Sequence, residues 1–248
     1  MFALISDEKI QLPPGTVVKL PANWDEYQAL SQQRGKSAIP RIKYRDGEAF
    51  LMSPLPQHGR DASLIADIIK ILLDWGDREY DSFTPITMEL PQISGIEPDY
   101  CFYIDNWEAV SGKERINWIV DPPPDLVLEI DVTSYSDVND YLPYKIPEVW
   151  LFRQKNLGIY RFQDENNTYL LQTNSFYFPG IDLQGVINQC LQIAYESNTS
   201  NALRELRQNL RKPYSGLRLN EMRTYVLYSL LVKIRRYLKY LNPTLSTQ

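Results

Sequence analysis

Three carboxylates stand where the surrounding pattern calls for apolar side chains. Pro98-Asp99 opens the run Tyr100-Cys101-Phe102-Tyr103-Ile104, and Glu129 interrupts Leu126-Val127-Leu128-Glu129-Ile130. The second run is nearly all apolar and branched, as a strand buried on both faces would be. Asp131 follows Glu129 by two residues, and side chains at i and i+2 of a strand share a face. A buried carboxylate is costly unless it is paired or bound to a metal. Glu129 and Asp131, with Asp99 brought alongside, would repel one another unless a cation lay between them. Oxygen-only ligands of this kind favour Mg²⁺ or Mn²⁺ over zinc. The plainer alternative places these acids at strand ends or on an edge strand, in water. Glu48, just after Asp46-Gly47, is a further acid with the same two readings.

Other reactive side chains are scarce. His58 is the single histidine, so no His-rich metal centre and no more than one member of a histidine triad can be drawn from the chain. It falls at a loop-to-helix junction, where a polar side chain more often caps than catalyses. Cys101 and Cys190 are far apart and form neither a disulfide framework nor a CxxC knuckle, which points to a reducing compartment. The formal net charge of -5 conceals an uneven spread. Residues 1–210 carry a net of -12, whereas residues 211–248 hold eight Lys+Arg against Glu221 alone. The N-terminal MFALISDEKI lacks the basic start of a secretory signal, and the run from Val226 to Val232 is too short to span a bilayer. A cytoplasmic protein is the expectation.

The elements that must position these acids are legible in outline. Val17 to Leu20 suggests an edge strand, and Asn23 or Asp25 caps a helix that Gly35 stops. Asp46-Gly47 between Ile42–Tyr44 and Glu48–Met52 is a hairpin signal. A helix from about His58 to Trp75 repeats Leu64, Ile65, Ile68, Leu72 and Trp75 at helical spacing. Strands are then expected at 86–90, 100–104, 116–120, 126–132 and 149–152, followed by a second hairpin around Asp164–Asn167. The aromatics Trp75, Tyr80, Phe83, Tyr100, Phe102, Tyr103, Trp107, Trp118 and Trp150 read as core. Helices over about 181–193 and 202–210 close the body. The last, Leu219 to Leu241, carries a leucine stripe opposite Lys233, Arg235, Arg236 and Lys239.

Three runs occur together in a telling order: Gly95-Ile96-Glu97-Pro98-Asp99-Tyr100, then Asp121-Pro122-Pro123-Pro124-Asp125-Leu126-Val127-Leu128-Glu129-Ile130-Asp131-Val132-Thr133-Ser134, then Ile146-Pro147-Glu148-Val149-Trp150. With Asp46-Gly47-Glu48, Met52-Ser53-Pro54 and His58 upstream, they resemble the bacterial Uma-two family of restriction-endonuclease-like proteins, over about residues 23–210. That family is similar to the PD-(D/E)XK nuclease superfamily. The resemblance implies a mixed α/β fold, with a central mixed sheet flanked by helices. It implies a domain at 1–212 and a basic helical extension at 213–248 that lies outside the family pattern.

The resemblance also assigns roles. Asp99 matches the acid of the "PD" element and Glu129 that of the "(D/E)XK" element, together holding Mg²⁺ or Mn²⁺. Glu48 corresponds to an additional upstream acid. The expected lysine two residues after Glu129 is replaced by Asp131, which would act as a further ligand instead. Lys113 and Lys145 are the candidates left for the lysine. The implied function is divalent-metal-dependent endonuclease cleavage of DNA phosphodiester bonds. The competing reading is a degenerate member that keeps the fold as a binding or assembly module. An acidic body binds DNA poorly, so a homodimer or the basic extension would have to supply cations. Nothing in the residues names a partner for that extension.

Overall fold

Alternation of apolar and polar residues, punctuated by turn chemistry, accounts for most of the architecture. The computed structural model describes residues 12–131 and 136–211. The extension from 213 on, with its expected helix at 219–241, and the Val132-Thr133-Ser134 end of the second motif lie outside them. By internal contacts the chain divides into two units. One contains the described residues up to Ala66 and those of Tyr80–Thr173; the other contains Asp67–Glu79 and the described residues from Asn174.

The first unit holds two sheets. One has the order β1-β3-β2-β6-β5, built from β1 (Val17–Pro21), β2 (Arg41–Arg45), β3 (Glu48–Met52), β5 (Met88–Leu90) and β6 (Ser94–Ile96), all antiparallel. The other has the order β11-β10-β9-β8-β7-β4. Its strands are β4 (Asp81–Phe83), β7 (Tyr100–Tyr103), β8 (Leu126–Asp131), β9 (Glu148–Arg153), β10 (Asn156–Gln163) and β11 (Thr168–Gln172). Only β8 and β9 run parallel, so the sheet is mixed. Helices complete the mixed α/β fold: α1 (Trp24–Arg34), α2 (Pro56–Trp75), α3 (Leu183–Glu196) and α4 (Thr199–Arg211).

Local chemistry sets the boundaries. Asn23 and Glu26 form a reciprocal capping box at the start of α1, and Gly35 ends it at φ 63°. The β2–β3 hairpin turns on Asp46 and Gly47, both at positive φ, as a two-residue turn of the right twist requires. Alternation then sorts the side chains of β2. Ile42 and Tyr44 are buried beside Tyr27 and Leu30 of α1, while Arg41, Lys43 and Arg45 point to the opposite face. Tyr27 lies so close over β6 that a Cβ at Gly95 would come 2.3 Å from its hydroxyl, which reserves that position for glycine.

One expected strand is absent. Residues 116–120 form a turn instead, with Val120 and Asp121 N–H groups donating to the Asn117 carbonyl. The Asn117 side chain accepts from Ile119, and Asp121 accepts from the Asn117 N–H. These local side-chain bonds satisfy the backbone without a sheet partner. The aliphatic Ile119 and Val120, which suggested a strand, are left exposed. The three-residue strands β4 and β6 escape the sequence reading because they are too short to show a period.

Candidate active site

Glu97-Pro98-Asp99 carries the chain from β6 in the first sheet to β7 in the second. Glu97 anchors the crossing. Its Oε1 accepts from the Arg34 guanidinium at 2.5 Å and from Thr87 Oγ1 at 3.1 Å, and its Oε2 accepts from the Ile42 N–H at 3.0 Å. Three residues on, Tyr100 pairs with Leu128, so the preceding residue, Asp99, arrives beside Glu129. Asp99 Oδ2 accepts from the Ile130 N–H at 2.7 Å, which fixes the carboxylate over β8. The two acids singled out in the sequence therefore meet, both buried.

What faces them is the charged side of β2. The Arg41 guanidinium donates to Asp99 Oδ1, Lys43 Nζ lies 3.0 Å from Glu129 Oε1, and the Arg45 guanidinium donates to Asp140 Oδ1. A strand spaces side chains of one face two residues apart, and here three successive cations take three acids. The Tyr141 hydroxyl donates to Glu129 Oε1 at 2.5 Å. His58, in the first turn of α2, does not cap. Its ring is buried, with Nε2 3.3 Å from Asp99 Oδ2.

Electrostatics separates the two acids. Burial would by itself raise the Asp99 carboxyl, yet the His58 ring, the Arg41 guanidinium and the Ile130 N–H hold it below the ordinary carboxylate value. Burial pushes Glu129 upward; the Lys43 ammonium opposes this and the Asp99 charge reinforces it. Lys43, whose ammonium burial would weaken, is raised above its ordinary value by Glu129 and then Asp140. Asp140 is raised by burial against the pull of Lys43 and Arg45.

The remaining candidates stand elsewhere. Asp131 is buried but faces Arg153, its neighbour across β8–β9, whose Nε donates to Oδ2 at 2.7 Å. Glu48 is half-buried and paired with Lys19 at 2.7 Å. Lys113 binds Asp121 at 2.7 Å, and Lys145 is exposed in a left-handed conformation that ends the 3₁₀ segment Val138–Tyr144. Neither lysine is among the groups that touch Asp99 or Glu129. The sequence reading overlooked Arg41, Lys43 and Tyr141. Arg41-Ile42-Lys43-Tyr44-Arg45 did carry a signal: three cations on one face of a strand next to a hairpin turn need acids opposite.

Comparison with known proteins decides the family. A family model described as "Putative restriction endonuclease" matches residues 24–185. The chain belongs to this Uma2 family. The matched residues include both buried acids and all three cations of β2. A solved nuclease-family structure, titled a putative nuclease belonging to DUF820 from Anabaena variabilis ATCC 29413, shares 16% identity, covering 77% of this chain and 99% of that one at a TM-score of 0.44. No curated protein matches the chain.

Restriction-endonuclease-like families such as Uma2 use divalent metals, and the donors present fit one chemically. Asp99 and Glu129 are hard oxygen ligands, and one or two carboxylates with substrate phosphate are the usual holders of such an ion. Lys43 and Tyr141 share Glu129 Oε1, leaving Oε2 without a hydrogen bond among the described residues. Among the described residues no group of three or more His, Cys, Asp or Glu assembles as a metal cluster.

The lowered Asp99 carboxyl has a consequence for acid stability. A depressed carboxyl stabilises the fold fully above its unfolded value, here 3.8, and the contribution is lost as pH falls through the lower folded value. Glu129, raised by burial, works in the opposite direction. Asp99→Asn removes the first effect and, because the Asp99 charge helps to raise Glu129, lessens the second. Urea unfolding from about pH 5 to pH 2 is expected to show a steeper loss of stability in wild type than in Asp99→Asn. Parallel curves would mean that Asp99 is not held ionised by its neighbours.

Proposed function

We propose that this chain is an endonuclease that hydrolyses DNA phosphodiester bonds with Mg²⁺ or Mn²⁺ held by Asp99 and Glu129. The observation that carries the reading is the meeting of these two buried carboxylates from adjacent strands, with the ammonium of Lys43 3.0 Å from Glu129. A bound divalent ion supplies Lewis acidity at the phosphoryl group and activates water. The protein's own groups do the positioning. The Ile130 N–H and the His58 ring orient Asp99, and Tyr141 orients Glu129. Lys43 places a fixed positive charge beside Glu129, the charge that the sequence lacks at position 131. Asp131 and Glu48 act outside this set, through Arg153 and Lys19. DNA affinity is supplied by the basic extension at 213–248 or by a second copy of the chain, since the body is acidic. The two cysteines are free and buried, in agreement with a cytoplasmic setting. No helix among the described residues is long and apolar enough to cross a membrane.

A second reading has its own support. Arg41 on Asp99 and Lys43 on Glu129 neutralise both acids with protein cations, which suits a member that keeps the fold as a binding or assembly module. Plasmid cleavage separates the two. Supercoiled DNA with Mg²⁺ or Mn²⁺ is expected to be nicked or linearised by wild type and left intact by Asp99→Ala and Glu129→Ala. Cleavage that survives both substitutions would remove the proposed site, and no cleavage by wild type would favour the binding module.

A further inference from the structure

Charge in the buried set sums to zero before any ligand arrives. Asp99 and Glu129 contribute two negative charges, and Arg41 and Lys43 contribute two positive ones. A divalent ion added to a neutral set leaves two uncompensated positive charges in a poorly solvated place, where like charges repel strongly. The cost falls if an anion enters with the ion or if one protein cation leaves.

The two protein cations are not equivalent in this respect. Lys43 and Tyr141 crowd onto Glu129 Oε1 and leave Oε2 without a hydrogen bond among the described residues, so Glu129 can keep its lysine and still offer an oxygen. Asp99 has no oxygen without a hydrogen bond. Its Oδ2 is taken by the Ile130 N–H at 2.7 Å, with His58 Nε2 3.3 Å away, and its Oδ1 is taken by Arg41. A metal on Asp99 must therefore meet the oxygen that the guanidinium holds. Arg41 is the first residue of β2, and its side chain is 16% exposed while that of Asp99 is wholly buried. Part of the Arg41 side chain therefore reaches solvent, and none of the Asp99 side chain does. A phosphodiester offers two non-bridging oxygens, which a guanidinium can bind in a bidentate manner as it binds a carboxylate.

We propose, building on the nuclease reading, that Arg41 is a tethered counter-ion of Asp99 that yields its place when a DNA phosphate accompanies the divalent ion. Metal and DNA then bind as a coupled pair, each raising the affinity of the other by the same factor. The free protein holds metal weakly, and Arg41 passes from the carboxylate to the phosphate on loading.

Mn²⁺ binding to the full chain tests this without reference to turnover. Free Mn²⁺ is measured by its paramagnetic resonance signal, with and without a phosphorothioate DNA duplex that resists cleavage, against a duplex-only blank. Wild type is expected to bind Mn²⁺ at least tenfold more tightly with the duplex than without it. Arg41→Gln is expected to bind Mn²⁺ alone at least tenfold more tightly than wild type and to lose most of the gain from DNA. Loss of binding in Asp99→Asn with no gain in Arg41→Gln would overturn the role of Arg41 and leave the metal site standing. Binding unaffected by Asp99→Asn would overturn both. Should Arg41→Gln fail to fold, wild type alone decides, because a gain of less than twofold from the duplex refutes the coupling.

Discussion

Glu129→Ala is expected to destabilise the protein by about 3–5 kcal/mol, the range for removing one partner of a buried ion pair, and to lower metal-dependent cleavage by at least about 100-fold, more than the loss of a mere supporting residue. The stability loss does not measure the strength of attraction between Glu129 and Lys43. It arises because Lys43, whose side chain is only 14% exposed, would be left without its carboxylate, and because the Tyr141 hydroxyl would lose its acceptor. Asp140, which also raises the Lys43 ammonium, limits the damage and argues for the lower half of the range. Lys43→Met should cost a similar amount by leaving Glu129 unpaired. The double replacement Lys43→Met with Glu129→Leu should recover most of the stability, since apolar residues often replace a buried pair at no cost, and none of the cleavage. Urea unfolding of the four proteins checks this. Additive losses in the double variant would show that the two residues do not act as a buried pair.

Asp125→Ala is expected to cost about 3 kcal/mol or more, since each buried donor left unpaired costs about 1–3 kcal/mol. The buried Asp125 Oδ2 accepts from the N–H groups of Ile104, Asp105 and Asn106 at 2.7, 2.9 and 3.0 Å, and Oδ1 accepts from the Asn106 side-chain amide at 2.9 Å. Its backbone N–H donates to the Phe102 carbonyl, and its carbonyl accepts from Glu148. Asp125 thus ties the end of β7 to the start of β8 and the start of β9. That junction sets the β7–β8 register, and with it the approach of Asp99 to Glu129. Asp125→Asn retains an acceptor oxygen and should lose less than the alanine variant. Thermal and urea unfolding measure both, and a loss below about 1 kcal/mol for Asp125→Ala would show that these bonds are not what holds the junction.

Much of the framework follows from local signals. The capping box at Asn23, the Asp46-Gly47 turn and the long apolar period of α2 are all expressed within a few residues, where chain geometry leaves few alternatives. The strand at 126–131 is also plain, because a short, branched apolar run after Pro124-Asp125 reads as a strand buried on both faces, and all six of its residues are buried. The turn at 116–120 shows the limit. Asn117 and Asp121 satisfy the backbone through their own side chains, and the aliphatic residues between them have no sheet to join.

The chain by itself determined which acids are out of place and that Asp99 and Glu129 need a compensating charge. Glu129 and Asp131 share a strand parity, yet the structure sends them to different partners, Lys43 and Arg153. The source of the compensating charge was decided only by tertiary structure. Arg41 lies 58 residues from Asp99, and Lys43 lies 86 residues from Glu129. Strand periodicity states which side chains of β2 share a face, but which face of one sheet meets which edge of another depends on the packing of the whole unit. The lysine paired with Glu129 therefore comes from a strand of the other sheet, since Coulomb attraction acts on distance in space and is indifferent to distance in sequence.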